Sequence, residues 1–249
     1  MARQTGLIKL KGTLDNVNFY KSKDGNMARM KTSVDASRIK NDPAFIRTRE
    51  NGAEFGGAAS EEKIHRDALR VMMQNTADGR VTARLTKIMT QIKNMDVTSP
   101  RGERSVGIGI ADPAAKTLLK GFNFNNRSIL GSVLFKGYTV DTATGEIEIL
   151  GLTPINDIAF PTGATHVSLR GAFAKIDFAG EVSDVEETNI ANLPLDATTS
   201  TVNLIPAATP SGTGTSLYLL MLEFFQEVNG VQYSLKNGAF NVMNIIEAQ

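Results

Sequence analysis

His65 and His166 are the only two histidines in the 249 residues, and there is no cysteine and no tryptophan. Thiolate metal sites, disulfides and cysteine nucleophiles are excluded, and a histidine-rich metal centre would need ligands from a second chain. His166 stands two residues before Ser168 in a segment that reads as a strand, so the two side chains share one face and a Ser–His pair is sterically open. The Gly-x-Ser-x-Gly elbow that presents such a serine is missing. A strand histidine is ordinarily structural, and His65, beside Arg66 on a charged helical segment, offers less still. Glu181, Asp184, Glu186 and Glu187 are the right type for calcium or for work on a glycosidic bond. Their spacing follows no ligand pattern, and the segment reads as a solvated loop. Gly107-Ile-Gly109 lacks the third glycine of a dinucleotide fingerprint, and Lys116-Thr117 lacks the glycine that precedes them in a Walker loop. The residues thus nominate no catalytic, cofactor-binding or metal-binding group and no small-molecule substrate, and the expectation is a protein that is not an enzyme.

The remaining chemistry is that of surfaces. Lys9, Lys11, Lys21, Lys23 and Arg29, with Lys31, would make the polar face of an N-terminal hairpin strongly basic. Phe19-Tyr20 lies among them, and the basic surface of residues 1–96 is compatible with nucleic acid. Interleaved acids such as Glu50, Glu61, Glu62 and Asp67 favour instead a salt-bridged helical surface that docks on an acidic partner. Arg47, Arg49, Asn51, Glu54 and Phe55 form the densest polar run, with Gly52 and Gly56 one helical turn apart, and read as a close helix–helix or subunit contact.

These groups need elements to hold them. Residues 6–34 alternate in the manner of strands, with Asp24-Gly25 as a hairpin turn. Asp42-Pro43 starts a helix through Phe45 to Phe55 that is expected to stop at Gly56-Gly57, and Ser60 to cap a second one. Val81, Leu85, Ile88, Ile92 and Met95 alternate spacings of four and three, one apolar stripe on a third helix. Beyond Ser99-Pro100 the pattern is β: Glu146–Leu150, His166–Phe173, Lys175–Val182, Thr201–Ile205, Ser216–Gln226, Val231–Leu235 and Phe240–Ile246, with Asn229-Gly230 and Asn237-Gly238 as turns and Thr198–Gly214 as a long loop. No helix is expected in this part.

The net charge of +1 conceals a division. Residues 1–104 hold 20 Lys/Arg against 12 Asp/Glu, a net of +8, while residues 105–249 hold 7 against 14, a net of −7. The expected plan is α+β: a basic β-hairpin arm (1–34), a helical segment (35–103) and an acidic antiparallel β-sandwich (104–249). No apolar run is long enough to span a bilayer, and no secretory leader follows Met1, which points to a cytoplasmic chain or to one packed in a virion or other assembled particle.

Gly6-Leu-Ile-Lys-Leu-Lys-Gly12-Thr13, Phe19-Tyr-Lys-Ser-Lys-Asp-Gly25 and Asn41-Asp-Pro-Ala-Phe45-Ile-Arg47-Thr-Arg-Glu-Asn51-Gly-Ala-Glu54-Phe55-Gly56 together resemble an uncharacterised protein family of Bacteroidota and their mobile elements. The resemblance covers about the first 100 residues and implies no activity, cofactor or site residue. The order of arm, helices and sandwich is also similar to that of virion and contractile-tail proteins, an analogy of fold alone. The expectation is a structural subunit of a homo-oligomeric or repeating assembly such as a phage, tail-like, injection-system or filament component. Its basic N-terminal part would meet the acidic β-domain of another copy, with Val81, Leu85, Ile88 and Ile92 in the contact. The alternative expectation is a nucleic-acid-binding protein.

Overall fold

The computed structural model describes residues 1–31 and 34–249, and the fold is α+β. The chain divides into two units, Met1–Asn51 and Gly52–Gln249. This division differs from the one drawn by charge, because the helices after Gly52 share their core with the β part.

The first unit holds four strands, β1 (Ala2–Arg3), β2 (Gly12–Leu14), β3 (Val17–Ser22) and β4 (Gly25–Met30), in the antiparallel order β1-β4-β3-β2. Ser22 pairs with Gly25, so the turn residues are Lys23 and Asp24, one position before the Asp-Gly pair the pattern predicts. Gly25 follows the turn at φ +112°, which a side chain rarely adopts. A short helix α1 (Ala36–Asn41), at the start of the segment expected to be helical, is capped by Asp35. Asp42 then accepts from the Ala44 amide at 2.9 Å and caps a 3₁₀ turn, Pro43–Phe45, as the Asp-Pro pair predicts.

That turn leads into α2 (Ile46–Ala68), which runs straight through Gly56 and Gly57. A glycine ends a helix when it takes a left-handed conformation, and neither glycine does so. Glu54, Ala58, Glu62 and His65 form a buried stripe on either side of them, and that burial offsets the roughly 1 kcal/mol per glycine that a helix interior loses. Then come α3 (Arg70–Met73), α4 (Val81–Lys93), α5 (Val106–Gly109), α6 (Pro113–Leu119), α7 (Leu130–Val133), β5 (Thr139–Val140), β6 (Ile147–Leu152) and α8 (Pro154–Asp157). The helices α5 to α8 overturn the expectation of none in this part. They are too short to show a helical period, although Ser105 and Asp112 cap two of them.

The remaining strands are β7 (His166–Asp177), β8 (Val182–Glu187), β9 (Ala191–Pro194), β10 (Ser200–Leu204), β11 (Thr215–Val228), β12 (Val231–Ser234) and β13 (Val242–Ala248). β7 and β11 pair along eleven residues at the centre of a six-stranded antiparallel sheet. Each carries two short strands on its outer edge: β8 and β9 on β7, β12 and β13 on β11. The two strands read as His166–Phe173 and Lys175–Val182 are thus one 12-residue strand followed by another. β10, expected as the strand Thr201–Ile205, joins β6 and β5 in a second, three-stranded sheet. Asn229-Gly230 turns β11 into β12, while Asn237-Gly238 closes a 3₁₀ turn.

The large sheet is covered on both sides. Leu217, Leu219, Met221, Ala172, Ala174 and Ile176 pack against Leu85, Met89 and Ile92 of α4 and against Leu119 of α6. The other face, with Tyr218, Leu220, Leu222, Phe224, Leu169 and Phe173, packs against Ile147, Ile149, Val202 and Leu204 of the small sheet. The sandwich therefore has a third, helical layer. This is why β7 and β11 read as near-continuous apolar runs: a strand buried on both faces has no solvent side to mark the alternation.

Gly109 shows how closely the helical layer is packed. A Cβ there would stand 2.1 Å from the Ile92 carbonyl oxygen, which is backbone and cannot swing away. Gly109→Ala is expected to lower unfolding stability by about 2–3 kcal/mol, read as an earlier urea midpoint at unchanged slope. An unchanged midpoint would contradict this packing.

Candidate functional site

The side chains whose types could do acid–base or nucleophilic work are bound up in structure. His166 bonds Thr165 Oγ1 through Nδ1 at 3.0 Å and places Nε2 3.6 Å from Glu227, while Ser168 accepts from Asn192 Nδ2 at 2.8 Å. Asp184 accepts from the backbone amide and the hydroxyl of Ser211, both at 2.7 Å, and Glu187 pairs with Arg170 at 3.0 Å. The cluster at 181–187 reads as a loop in sequence but forms β8, whose alternation sends Asp184 and Glu187 to opposite faces. Among the described residues no three His, Cys, Asp or Glu side chains are grouped to hold a metal ion. Gly107-Ile-Gly109 lies in α5.

Glu54 has a different place from the one its sequence suggests. It is buried on α2, where its carboxylate takes a two-pronged bond from Arg104, 2.8 Å to Nε and 2.7 Å to Nη2, together with the Gly102 amide at 2.8 Å and the Lys93 ammonium. The Arg104 guanidinium, with Lys93 beside it, holds the Glu54 carboxyl well below the usual carboxylate range against the opposing effect of burial. Next to it, Asp96 accepts from Thr98 and Ser99 amides, from the Thr98 hydroxyl and from the Ser105 amide. Burial opposes the Asp96 charge, but these hydrogen bonds outweigh it and hold its pKa low. Glu61 accepts from the Val106 and Gly107 amides at 3.0 and 2.9 Å. Residues 98–107 are thus held by three carboxylates, Glu54 and Glu61 of α2 and Asp96 just beyond α4. The signal was present in part, since Asp96-Val-Thr98-Ser99 is the composition of an Asx turn.

The other residues nominated for contact separate into buried and exposed sets. Leu85 and Ile92 are fully buried, and Val81 and Ile88 pack partly against the same core, so the stripe on α4 serves the chain's own fold and not a neighbour. Arg49 donates to the Ile39 and Asp42 carbonyls at 2.9 Å, and Arg47 pairs with Glu50 at 2.8 Å. A Cβ at Gly52 or Gly56 would meet nothing within 4 Å, so among the described residues no element makes the close approach they permit. Asn51 is exposed, and Phe55 remains 59% exposed. Phe55 borders an open groove of about 450 Å³ with Ala83, Thr86, Lys87, Thr90 and Gln91. The Thr86 and Thr90 hydroxyls donate back to Thr82 and Thr86 carbonyls at 2.8 Å, which turns their methyl groups outward.

A charged cluster lies across the central strands. Arg170 and Glu223, both buried, pair at 3.0 Å, and burial raises the Glu223 pKa against the attraction of Arg170. Its trace in the sequence is a single carboxylate interrupting the apolar run of β11.

The N-terminal unit is of another kind. None of its described residues is buried. Cross-strand pairing puts Leu14, Val17, Phe19, Ala28, Met30 and Lys21 on one face of its sheet, and Arg3, Tyr20, Met27 and Arg29 on the other. The single basic face expected of the hairpin is therefore divided: Lys21 is at the end of the apolar face, and Arg29 sits over the Tyr20 ring at 5.4 Å on the opposite one. Lys9 folds back on the Gln4 carbonyl at 2.8 Å, while Lys11 and Lys23 are exposed. Leu14 is 62% exposed and Met30 67%, and Leu7 and Ile8 in the β1–β2 loop are fully open. A sheet of four strands needs an apolar face covered to be stable in water, and this one has no core of its own.

No helix among the described residues is long and apolar enough to cross a membrane. Comparison with protein-family models, with curated proteins and with solved structures finds no match to this chain.

Proposed function

We propose that the protein is a non-enzymatic structural subunit of a repeating assembly, of the kind found in virions, tails, injection systems or filaments, in which the N-terminal unit of one copy docks on the second unit of another. The observation that carries this reading is the state of residues 1–51: a formed sheet, an apolar face and a set of aliphatic side chains, with no described residue buried. Charge supports a second copy as the cover. The first unit holds 11 Lys/Arg against 5 Asp/Glu, a net of +6, and the second holds 16 against 21, a net of −5. A patch that fits a different patch on an identical molecule is heterologous, and such contacts propagate into rings or filaments.

Sedimentation velocity and negative-stain microscopy on the full chain test this. Large species are expected at low salt and high protein concentration, shrinking as salt screens the exposed charges. Leu7→Asp with Ile8→Asp is expected to leave the circular dichroism unchanged and abolish the large species. A chain that stays monomeric under those conditions overturns the proposal. A gel shift with a steep salt slope, lost on charge reversal at Lys11 and Lys21, would install nucleic acid as the partner instead.

A further inference from the structure

The second unit carries one surface whose chemistry matches the N-terminal unit in both respects, and it lies where α7, β6 and α8 come together. The Phe135 amide donates to the Asp157 carbonyl at 2.8 Å, and Leu134 bridges Ile158, so the segment after α7 lies against α8. Lys136 reaches to 3.9 Å from the Asp157 carboxylate. β6 runs into α8 through Thr153, whose amide donates to that carboxylate at 2.8 Å. On β6, Ile147 and Ile149 point into the core and Glu148 and Leu150 outward. The result is an exposed group of Phe135 at 63%, Leu150 at 58% and Ile155 at 49%, with Glu148 and Asp157 beside it. Residues 133–160 hold four carboxylates, Asp141, Glu146, Glu148 and Asp157, against the single Lys136, a net of −3. Residues 1–31 hold 7 Lys/Arg against Asp15 and Asp24, a net of +5.

We infer that this surface of one copy receives the apolar, lysine-rimmed face of the N-terminal sheet of the next copy. The inference rests on the assembly reading and specifies its receiving side. Aliphatic and aromatic side chains would meet across the centre, with Lys21 at the end of that face and Lys11 beside the edge strand β2 reaching the carboxylates at the rim, the usual division of an interface into an apolar middle and a polar border. Opposite charges at such a border set the encounter rate and the register more than the affinity, so the apolar contacts are the stronger test of affinity and the charges the stronger test of pairing.

The test is a cross-complementation by sedimentation velocity at low salt, on the full chain throughout. Leu150→Asp, on an exposed strand position, is expected to raise the concentration for half-assembly by about tenfold or more. Lys11→Glu with Lys21→Glu is expected to do the same, as is Glu148→Lys with Glu146→Lys. All four reversals in one chain are expected to recover most of the loss, because the pairs are restored with the signs exchanged. Circular dichroism spectra matching the parent chain show that each variant is folded. If the Leu7/Ile8 and lysine variants disrupt assembly while those at 146, 148 and 150 leave it unchanged, the receiving surface is elsewhere and the assembly reading stands. If the parent chain does not assemble, both fall. Binding of the monomeric chain to phosphatidylglycerol vesicles through the same lysines would likewise overturn both.

Discussion

Glu54→Ala is expected to lower unfolding stability by about 3–5 kcal/mol, because it leaves the Lys93 ammonium buried with no counter-charge and removes both prongs from Arg104. Few single changes reach that range, and those that do share a mechanism of this kind. At about 2–4 °C per kcal/mol for a body of this size, the melting temperature should fall by about 10 °C or somewhat more. The loss should be local in origin. Gly102, Arg104 and Asp96 share one polar network with Glu54, so amide exchange in residues 98–107 should accelerate before that of β7 and β11. The discriminating control is Glu54→Ala combined with Lys93→Met, which removes the stranded charge and should recover a substantial part of the loss. A fall below 1 kcal/mol for the single variant would mean that water reaches Lys93 and that the carboxylate is not the structural tie described above.

Acid is expected to unfold the chain early, with His65 setting the onset. Its ring is fully buried, stacked parallel on Phe124 at 5.9 Å, and neither nitrogen has a hydrogen-bond partner among the described residues. Burial, with the Arg66 charge adding to it, pushes its pKa down to about 3 from an unfolded value near 6.5. Below pH 6.5 the unfolded chain takes the proton and the folded chain does not, so the contribution is whole above pH 6.5 and is lost as pH falls towards 3. Linkage gives about 1.4 kcal/mol per pH unit in that window, or about 3 kcal/mol between pH 6.5 and 4. Glu54 and Asp96, whose pKa values are lowered, add losses only below the ordinary carboxylate range. Glu62 and Glu223 are raised by burial and act in the opposite direction, gaining protons in the folded state. The difference between the parent chain and His65→Leu cancels these shared contributions. Urea unfolding should show the variant at least as stable at pH 7, since it no longer buries two unpaired nitrogens, and clearly more stable at pH 5. Parallel pH profiles for the two proteins would contradict a neutral, buried His65.

The positive charge of residues 1–104 falls into two kinds. The excess of positive charge in residues 1–104 is partly internal: Lys93, Arg104, Arg66 and Arg84 pair with carboxylates of the same unit. The rest of the excess is concentrated in the first 31 residues, which hold 7 Lys/Arg against 2 Asp/Glu. The junction near residue 104, where charge, periodicity and Ser99-Pro100 all change, is a change of secondary structure inside one unit. Its polar residues supply the amides, hydroxyls and guanidinium that satisfy the buried carboxylates of Glu54 and Asp96, and Glu61 accepts from the amides that follow.

The sequence by itself determined the local elements. Asp-Pro at 42–43 specifies a capped helix start, the 81–95 stripe a helix with one buried face, the alternation within residues 6–34 a small sheet, and the strands from Glu146 onward an antiparallel assembly, because each depends on neighbours a few residues apart. Only the tertiary structure decided which of these faces are used up. The α4 stripe is spent on the chain's own sheet, Glu54 is an internal anchor instead of a contact, and Gly56-Gly57 stay helical because the residues around them are buried. Burial is a property of what lies across the space, and a one-dimensional pattern records only that a face is apolar. For the same reason the lack of burial across residues 1–31 became visible only in the tertiary structure.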